Sequence, residues 1–464
     1  MAFNTTGFWL FFAVFYLVYL PLPRRWANLW LLAGGYVFYA LWNWRYLPLL
    51  IAVTVINGVC AAHLTPTAEP RRRRRLLWAV LVADVFILMI FKSSGLLGEL
   101  GAALKASLSP GGPGLSGAVV PLGLSFYLLQ AITYPVDVYR GRLAPARWSD
   151  WAVCVNFFPC LIAGPIQKVR DLLPQVNDRP RAGAEVFRQG AALIALGLVK
   201  KLLFADNFGR LASAVYQQPA SFGAAEHWLA LYCFTLFLYA DFSGYSDAAR
   251  GLAKLLGFEV GRNFRNPFFS RSPMELWQRW HVSLLEWARE YVFYPLGLVR
   301  IGSVHPPAWA VVCVTWLVVG VWHGPTPVFA AWALYHAGLL ILWRRYEKSL
   351  SRLPGPLVAG IVFHLFMFGL LAFAADTPAR LDALAACLIG AGRTQLELNP
   401  QVIGIVMGLM AGLFALERAQ YRSDDELVFL KWGLPSRVAF YVGVFYLTVM
   451  LGHFGAQPYF YFQF

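Results

Sequence analysis

Gly7–Leu22 and Trp26–Trp42 are apolar on every helical face. Each approaches the roughly 20 residues with which an α-helix crosses a bilayer. A helix on a soluble core keeps a polar face toward water, and these segments have none. The composition agrees: the chain is 59% hydrophobic and only 14% charged, against roughly 25% charged in soluble domains. The expected fold class is an all-α polytopic membrane protein with about 11–13 transmembrane or partly spanning helices, counted at roughly 20 residues each.

Further spans are expected at Leu47–His63, Leu76–Met89, Val119–Val138, Val186–Leu203, His227–Ala240, Pro307–Trp322, Thr326–Trp343, Gly355–Ala375, Val402–Leu416 and Val438–Gly452. Residues 149–166 are apolar but end in Ala163-Gly-Pro165, the mark of a broken or re-entrant segment. Asp206 to Glu226 reads as a polar connector. The loops with Arg24-Arg25 and Arg71–Arg75 fall on one face, and the loop between them carries only Arg45. By the positive-inside rule that face is cytoplasmic, so the N-terminus is extracytoplasmic. Residues 97–118, Asp376–Pro400 and the C-terminus are then extracytoplasmic as well.

The net charge of +15 resides in these short loops, so it reports topology and gives no reason to expect a nucleic-acid partner. The six cysteines lie mostly within apolar runs, without CxxC spacing, and read as small core residues. The N-terminus lacks the basic start and cleavage site of a signal peptide and is expected to be retained. We treat residues 1–464 as one integral membrane domain, with N-terminal spans over 1–140, a core over 141–345 and C-terminal spans over 346–464.

Three polar words interrupt the apolar text of that core: Asp241-Phe-Ser-Gly-Tyr-Ser-Asp247, Trp277-Gln-Arg-Trp-His281 and Trp322-His323-Gly324. Polar groups at membrane depth are costly, so they are functional-site candidates by default. The helix before His323 has about 16 residues, near 24 Å; against a core of about 30 Å it leaves His323 at the base of a depression. The bland alternative is a buried histidine bonded to backbone. His281, among Glu275, Arg279, Glu286, Arg289 and Glu290, suits either an interfacial charge network or the lining of a donor passage. In the first word Gly244 is expected to break the helix, and Asp241 and Asp247 to orient a histidine or an arginine. Ser243 and Ser246 lack the G-x-S-x-G setting of a nucleophile and read as scaffold. Between Arg250 and Arg300, arginines alternate with aromatics, as in short helices at the cytoplasmic interface. They form a belt suited to an anionic donor. No HExxH, P-loop or GxGxxG occurs, and no metal is expected.

Together with Asn263-Phe-Arg-Asn-Pro267, Tyr36-Val-Phe-Tyr39 and Pro121-Leu-Gly-Leu-Ser125, these words resemble the membrane-bound O-acyltransferases. The likeness is to the bacterial branch that includes the membrane subunit of alginate O-acetylation. It runs from about Phe3 to about Leu342. The resemblance implies a central tunnel or funnel, with His323 and His281 catalytic. It also implies that Asp241, Ser243, Tyr245, Asn263, Arg279, Trp280 and Trp322 bind substrate or line the tunnel. No bound cofactor is implied. The donor would be acetyl-CoA or another acyl thioester from the cytoplasm. The acceptor would be an extracytoplasmic polysaccharide, reached directly or through a periplasmic SGNH-type acetyltransferase partner. The implied location is the bacterial inner membrane. Two departures from the family pattern are Val319-Gly-Val321 and Gly297-Leu-Val-Arg300. The alternatives are D-alanyl transfer from a carrier protein and a proton-coupled transporter or flippase.

Overall fold

A computed structural model of the protein describes residues 2–93, 99–100, 102–103, 120–179, 183–300, 304–375, 377–391, 398–454 and 457–460. Most of the expected 97–118 loop, and Asp376 with residues 392–397 of the second external segment, lie outside the described residues. Among the described residues there is no β-strand. In chain order the main helices are α1 (Thr6–Tyr19), α2 (Arg24–Asn43), α3 (Leu47–Ala62), α4 (Pro70–Lys92), α5 (Leu124–Tyr139), α6 (Trp148–Val155), α7 (Val169–Asn177) and α8 (Ala184–Val199). They continue as α9 (Asp206–Gln217), α10 (Ala224–Leu255), α11 (Pro273–Arg279), α12 (Val282–Ala288), α13 (Ala308–His323) and α14 (Pro327–Leu350). The last are α15 (Gly355–Gly369), α16 (Pro378–Leu388), α17 (Pro400–Ser423) and α18 (Leu434–Leu451).

Four helical stretches among the described residues are long and apolar enough to cross a membrane: Arg24–Ala62, Gly355–Ala374, Pro400–Ser423 and Leu434–Leu451. Thr6–Tyr19 and Ala308–His323 are apolar but shorter. The helices differ in what they face. Every residue of α5 from Leu124 to Val138 is buried, whereas α18 has no buried residue. An apolar helix with no buried side is solvated by lipid. Residues 149–166 are broken as expected, into α6 and a short helix at Phe158–Leu161.

The chain forms two compact units. One comprises Met1–Ile194, Ala248–Gly261 and Pro458–Phe464. In it Phe11, Phe12, Phe15 and Phe38 pack around Phe158, and the buried Asn57 of α3 donates to Asp84 of α4 at 3.1 Å. The other comprises Ala195–Asp247 and Arg262–Gln457, and it carries all three polar words.

Two sequence expectations need correction. Gly244 does not break its helix: α10 runs uninterrupted for 32 residues. The glycine serves packing instead, because a Cβ there would lie 2.7 Å from the carbonyl oxygen of Gly197. The connector after Asp206 is largely the helix α9, which buries Phe208, Leu211, Ala212 and Val215, an i, i+3, i+4, i+7 stripe. Its outward polar residues concealed that stripe.

Gly244→Ala should therefore destabilise the protein by about 1–3 kcal/mol through overpacking. Gly412→Ala, whose Cβ would find its nearest neighbour at 3.9 Å, should be neutral or slightly stabilising, since alanine is the better helix former by up to about 1 kcal/mol. Melting temperatures of the two variants in one detergent test this. Equal melting temperatures would contradict the close helix contact.

Candidate active site

His323 is the last residue of α13, and its position follows from local sequence. Gly320, one turn earlier, allows close approach to α14, since a Cβ there would lie 2.7 Å from the Phe329 carbonyl oxygen. Thr326 caps α14, its side chain accepting the Phe329 N–H. The intervening turn lays the buried imidazole among four rings: Trp322 at 4.7 Å, Phe329 at 5.9 Å, Trp332 at 5.2 Å and Phe373 at 5.0 Å between centroids. Trp332 and His336 are one turn apart on α14 and meet at 5.1 Å. His336 in turn faces Trp277 at 4.9 Å and Trp316 at 5.5 Å.

Those last two tryptophans are also a wall of a cavity of about 440 Å³, lined further by Arg265, Glu286, Arg289 and Thr315. The cavity's lining is mostly apolar and includes both arginines. One continuous row of rings thus leads from this cavity through His336 and Trp332 to His323.

His281 sits between α11 and α12 with its backbone in the left-handed region, φ 47° and ψ 50°. That conformation costs a non-glycine residue on the order of 1–3 kcal/mol and persists only where surroundings enforce it. Asn263 is the enforcer. Its carbonyl accepts the Val282 N–H at 2.9 Å, and its Oδ1 accepts the Ser283 N–H at 3.2 Å and the Ser283 hydroxyl at 3.0 Å. Its Nδ2 donates to Ser246 Oγ at 3.2 Å.

A backbone N–H only donates, so the Asn263 atom facing Ser283 must be the oxygen. The same oxygen lies 3.1 Å from His281 Nδ1, which must therefore carry the proton. This fixes the tautomer and makes Nε2 the basic nitrogen. Phe242 meets the ring edge-on at 4.7 Å, and Trp322 lies at 6.2 Å, between His281 and His323. Burial lowers the imidazole from its ordinary 6.5 to about 3, so His281 is neutral at physiological pH.

Beneath this lies a buried charge network. After α8 the chain forms a π-helical turn, Lys200–Ala205. Lys200 Nζ donates to Asp247 at 2.9 Å and lies 3.8 Å from Glu417; Lys201 Nζ lies 2.8 Å from both Asp206 and Asp241. The aspartates of the first polar word thus meet the two lysines. The lysines lie near the end of the expected Val186–Leu203 span, and the widened turn carries both inward, where they are buried. Asn266, also left-handed at φ 49°, donates to Glu417 at 2.7 Å and joins the network to the segment that holds His281.

The other expected site residues divide. Trp280 is packed by Phe264 at 5.1 Å and Phe366 at 4.7 Å, and Tyr245 is buried. The buried Ser243 Oγ makes no hydrogen bond among the described residues. Arg279 is paired to Glu275 at 3.0 Å and lies over the Tyr421 ring. Arg262 is paired to Glu426 at 3.0 Å. Of the expected basic belt, Arg265 and Arg289 are the arginines lining the cavity. Trp316, Trp332 and Phe373 were not anticipated; the Trp332–His336 spacing of one helical turn is the sequence signal that could have flagged them. Among the described residues no group of three His, Cys, Asp or Glu could hold a metal ion.

Residues 155–367 match the model of the membrane-bound O-acyltransferase family, MBOAT. The chain belongs to that family and is an O-acyltransferase. It is similar to the probable alginate O-acetylase AlgI of Pseudomonas aeruginosa, with 34% identity over 424 residues covering 88% of this chain and 79% of the relative. The peptidoglycan O-acetyltransferase of Helicobacter pylori is 29% identical, covering 69% of this chain and 65% of the relative. The teichoic acid D-alanyltransferase of Streptococcus thermophilus is 28% identical, covering 50% and 59%.

Asp241→Ala should lower thermal stability as well as activity, by on the order of 3 kcal/mol, since it removes one carboxylate from a buried lysine. An activity loss at unchanged melting temperature would instead assign Asp241 to the chemistry. The low pKa of His281 has a further consequence. Below pH 6.5 the unfolded chain binds a proton that the folded chain refuses until about pH 3. Stability should therefore be full above that window and fall as pH drops through it. His281→Gln should flatten this part of the melting-temperature profile; an unchanged slope would contradict the neutral, enclosed ring.

Proposed function

We propose that this protein transfers an acyl group, most simply acetyl, from a cytoplasmic thioester such as acetyl-CoA to an extracytoplasmic hydroxyl, in a bacterial inner membrane. The acceptor in this reading is a polysaccharide or a periplasmic SGNH-type partner that passes the group on. The acetyl assignment is supported by the relatives named for O-acetylation. The observation that carries the reading is His323, an imidazole at the end of an apolar helix inside a shell of aromatic rings.

A thioester is already activated, so the protein has to supply position and proton handling. His323 takes the proton of the acceptor hydroxyl as its oxygen attacks the thioester carbonyl. The tetrahedral intermediate collapses with cleavage of the C–S bond, and the departing thiolate receives that proton from the imidazolium. General base catalysis of this kind contributes about 10²–10⁴-fold. The surrounding rings keep water from the carbonyl and so limit hydrolysis. The cavity walled by Trp277 and Trp316 suits the thioester arm of the donor, with Arg265 and Arg289 meeting its phosphates. Neutral His281, with Nε2 as acceptor, suits a hydrogen bond from a substrate group near Trp322.

His323→Ala should reduce thiol release from acetyl-CoA by about 10²–10⁴-fold at unchanged yield and melting temperature. Purified variant retaining more than about a tenth of wild-type activity would overturn the assignment. Wild-type protein that consumes acetyl-CoA without any ion gradient is the expected result; a strict gradient requirement would favour a transport function.

A further inference from the structure

Helix α4 presents two different faces. On one side Arg73 turns inward: its Nε donates to the Leu64 carbonyl at 3.1 Å, its Nη2 donates to the Tyr139 carbonyl at 2.8 Å, and its guanidinium lies over the Tyr139 ring. Val80, Asp84, Leu88 and Phe91 follow on that side, all buried. Arg71, Arg75, Trp78, Val82, Val85 and Phe86 are exposed. At about 100° per residue they fall within roughly 60° of one line along the helix.

The exposed stripe is ordered by chemistry. Arginines crown it, a tryptophan follows at the depth where indoles favour the membrane interface, and an aliphatic and aromatic lane runs below. From Arg75 to Phe86 is about 16 Å at 1.5 Å per residue, close to one leaflet, half of the roughly 30 Å hydrocarbon core. Beside the crown, Arg71, Arg72 and Arg75 line one surface depression together with Glu69, Leu76 and Ala79, which leaves a net positive lining above apolar side chains.

We propose that this face of α4 binds an individual anionic phospholipid. The phosphodiester sits among Arg71, Arg72 and Arg75, and an acyl chain lies along Trp78, Val82 and Phe86. A headgroup such as phosphoglycerol, with negative charge and no ammonium, fits the lining; choline and ethanolamine headgroups would set an ammonium against the arginines. The alternating use of the run, with Arg73 spent on the protein and its neighbours presented outward, distinguishes a built site from a loop that is merely basic.

The test uses full-length protein in mixed micelles, with lipid retention read by native mass spectrometry. Phosphatidylglycerol should be retained in preference to phosphatidylcholine. The triple variant Arg71→Gln, Arg72→Gln, Arg75→Gln should lose that retention by on the order of a hundredfold, at about fivefold per surface arginine, with an unchanged melting temperature in lipid-free detergent. The double variant Arg344→Gln, Arg345→Gln, at exposed arginines elsewhere, should bind as wild type. Equal retention of phosphatidylcholine would overturn the proposal. So would undiminished binding in the triple variant, or an equal loss in the double variant. Stabilisation by millimolar inorganic phosphate matching that by phosphatidylglycerol would reassign the arginines to a free anion.

Discussion

Two adjacent lysines buried within an apolar bundle set a demand that the surrounding structure must meet. An ion stripped of water and left unpaired costs several kcal/mol, so Lys200 and Lys201 tolerate only arrangements that deliver carboxylates to both. The first receives Asp247 and Glu417, the second Asp206 and Asp241. Asp241 and Asp247 are six residues apart on α10, about 9 Å along the axis at 1.5 Å per residue. Adjacent lysines reach both because the π-helical turn spreads them. Glu417 then engages Asn266, and three residues earlier Asn263 fixes the conformation and tautomer of His281. The geometry of the site thus depends on ion pairs made by two lysines.

The two histidines are held by different means. His281 is constrained by hydrogen bonds and by a left-handed backbone that its neighbours enforce. His323 is framed by rings at the end of a helix. Trp322 contacts both, so the position of one histidine bears on the other through a single indole. The first arrangement presents a lone pair in a set direction. The second encloses an imidazole that, in the proposed reaction, takes up and returns a proton.

Much of this was legible in the chain because membranes simplify the code. Length and apolarity announce helices, and polar words inside apolar text mark candidate site residues; both His281 and His323 were singled out this way. What escaped notice depends on packing partners distant in sequence. Gly244 looked like a helix break because glycine is a poor helix former, yet here its value is the space it leaves for Gly197. Lys200 and Lys201 fell unremarked near the end of an expected span, and only their carboxylate partners, up to 217 positions away for Lys200 and Glu417, show what they do in the interior. The aromatic row through Trp316, Trp332 and Phe373 has no polar signature at all.

The π-helical turn at Lys200–Ala205 also shapes how this chain could change over generations. A π turn is an α-helix carrying one surplus residue. Loss of a single codon there would let the helix close into ordinary α geometry, with its flanking turns nearly in phase but without the widening that carries both lysines to their carboxylates. Many substitutions in the turn would be absorbed locally, but a deletion would swing a lysine away from its carboxylates while every other residue kept its identity. Beyond its two lysines the segment should therefore drift in spelling while holding its length, a constraint on counting that no single side chain carries.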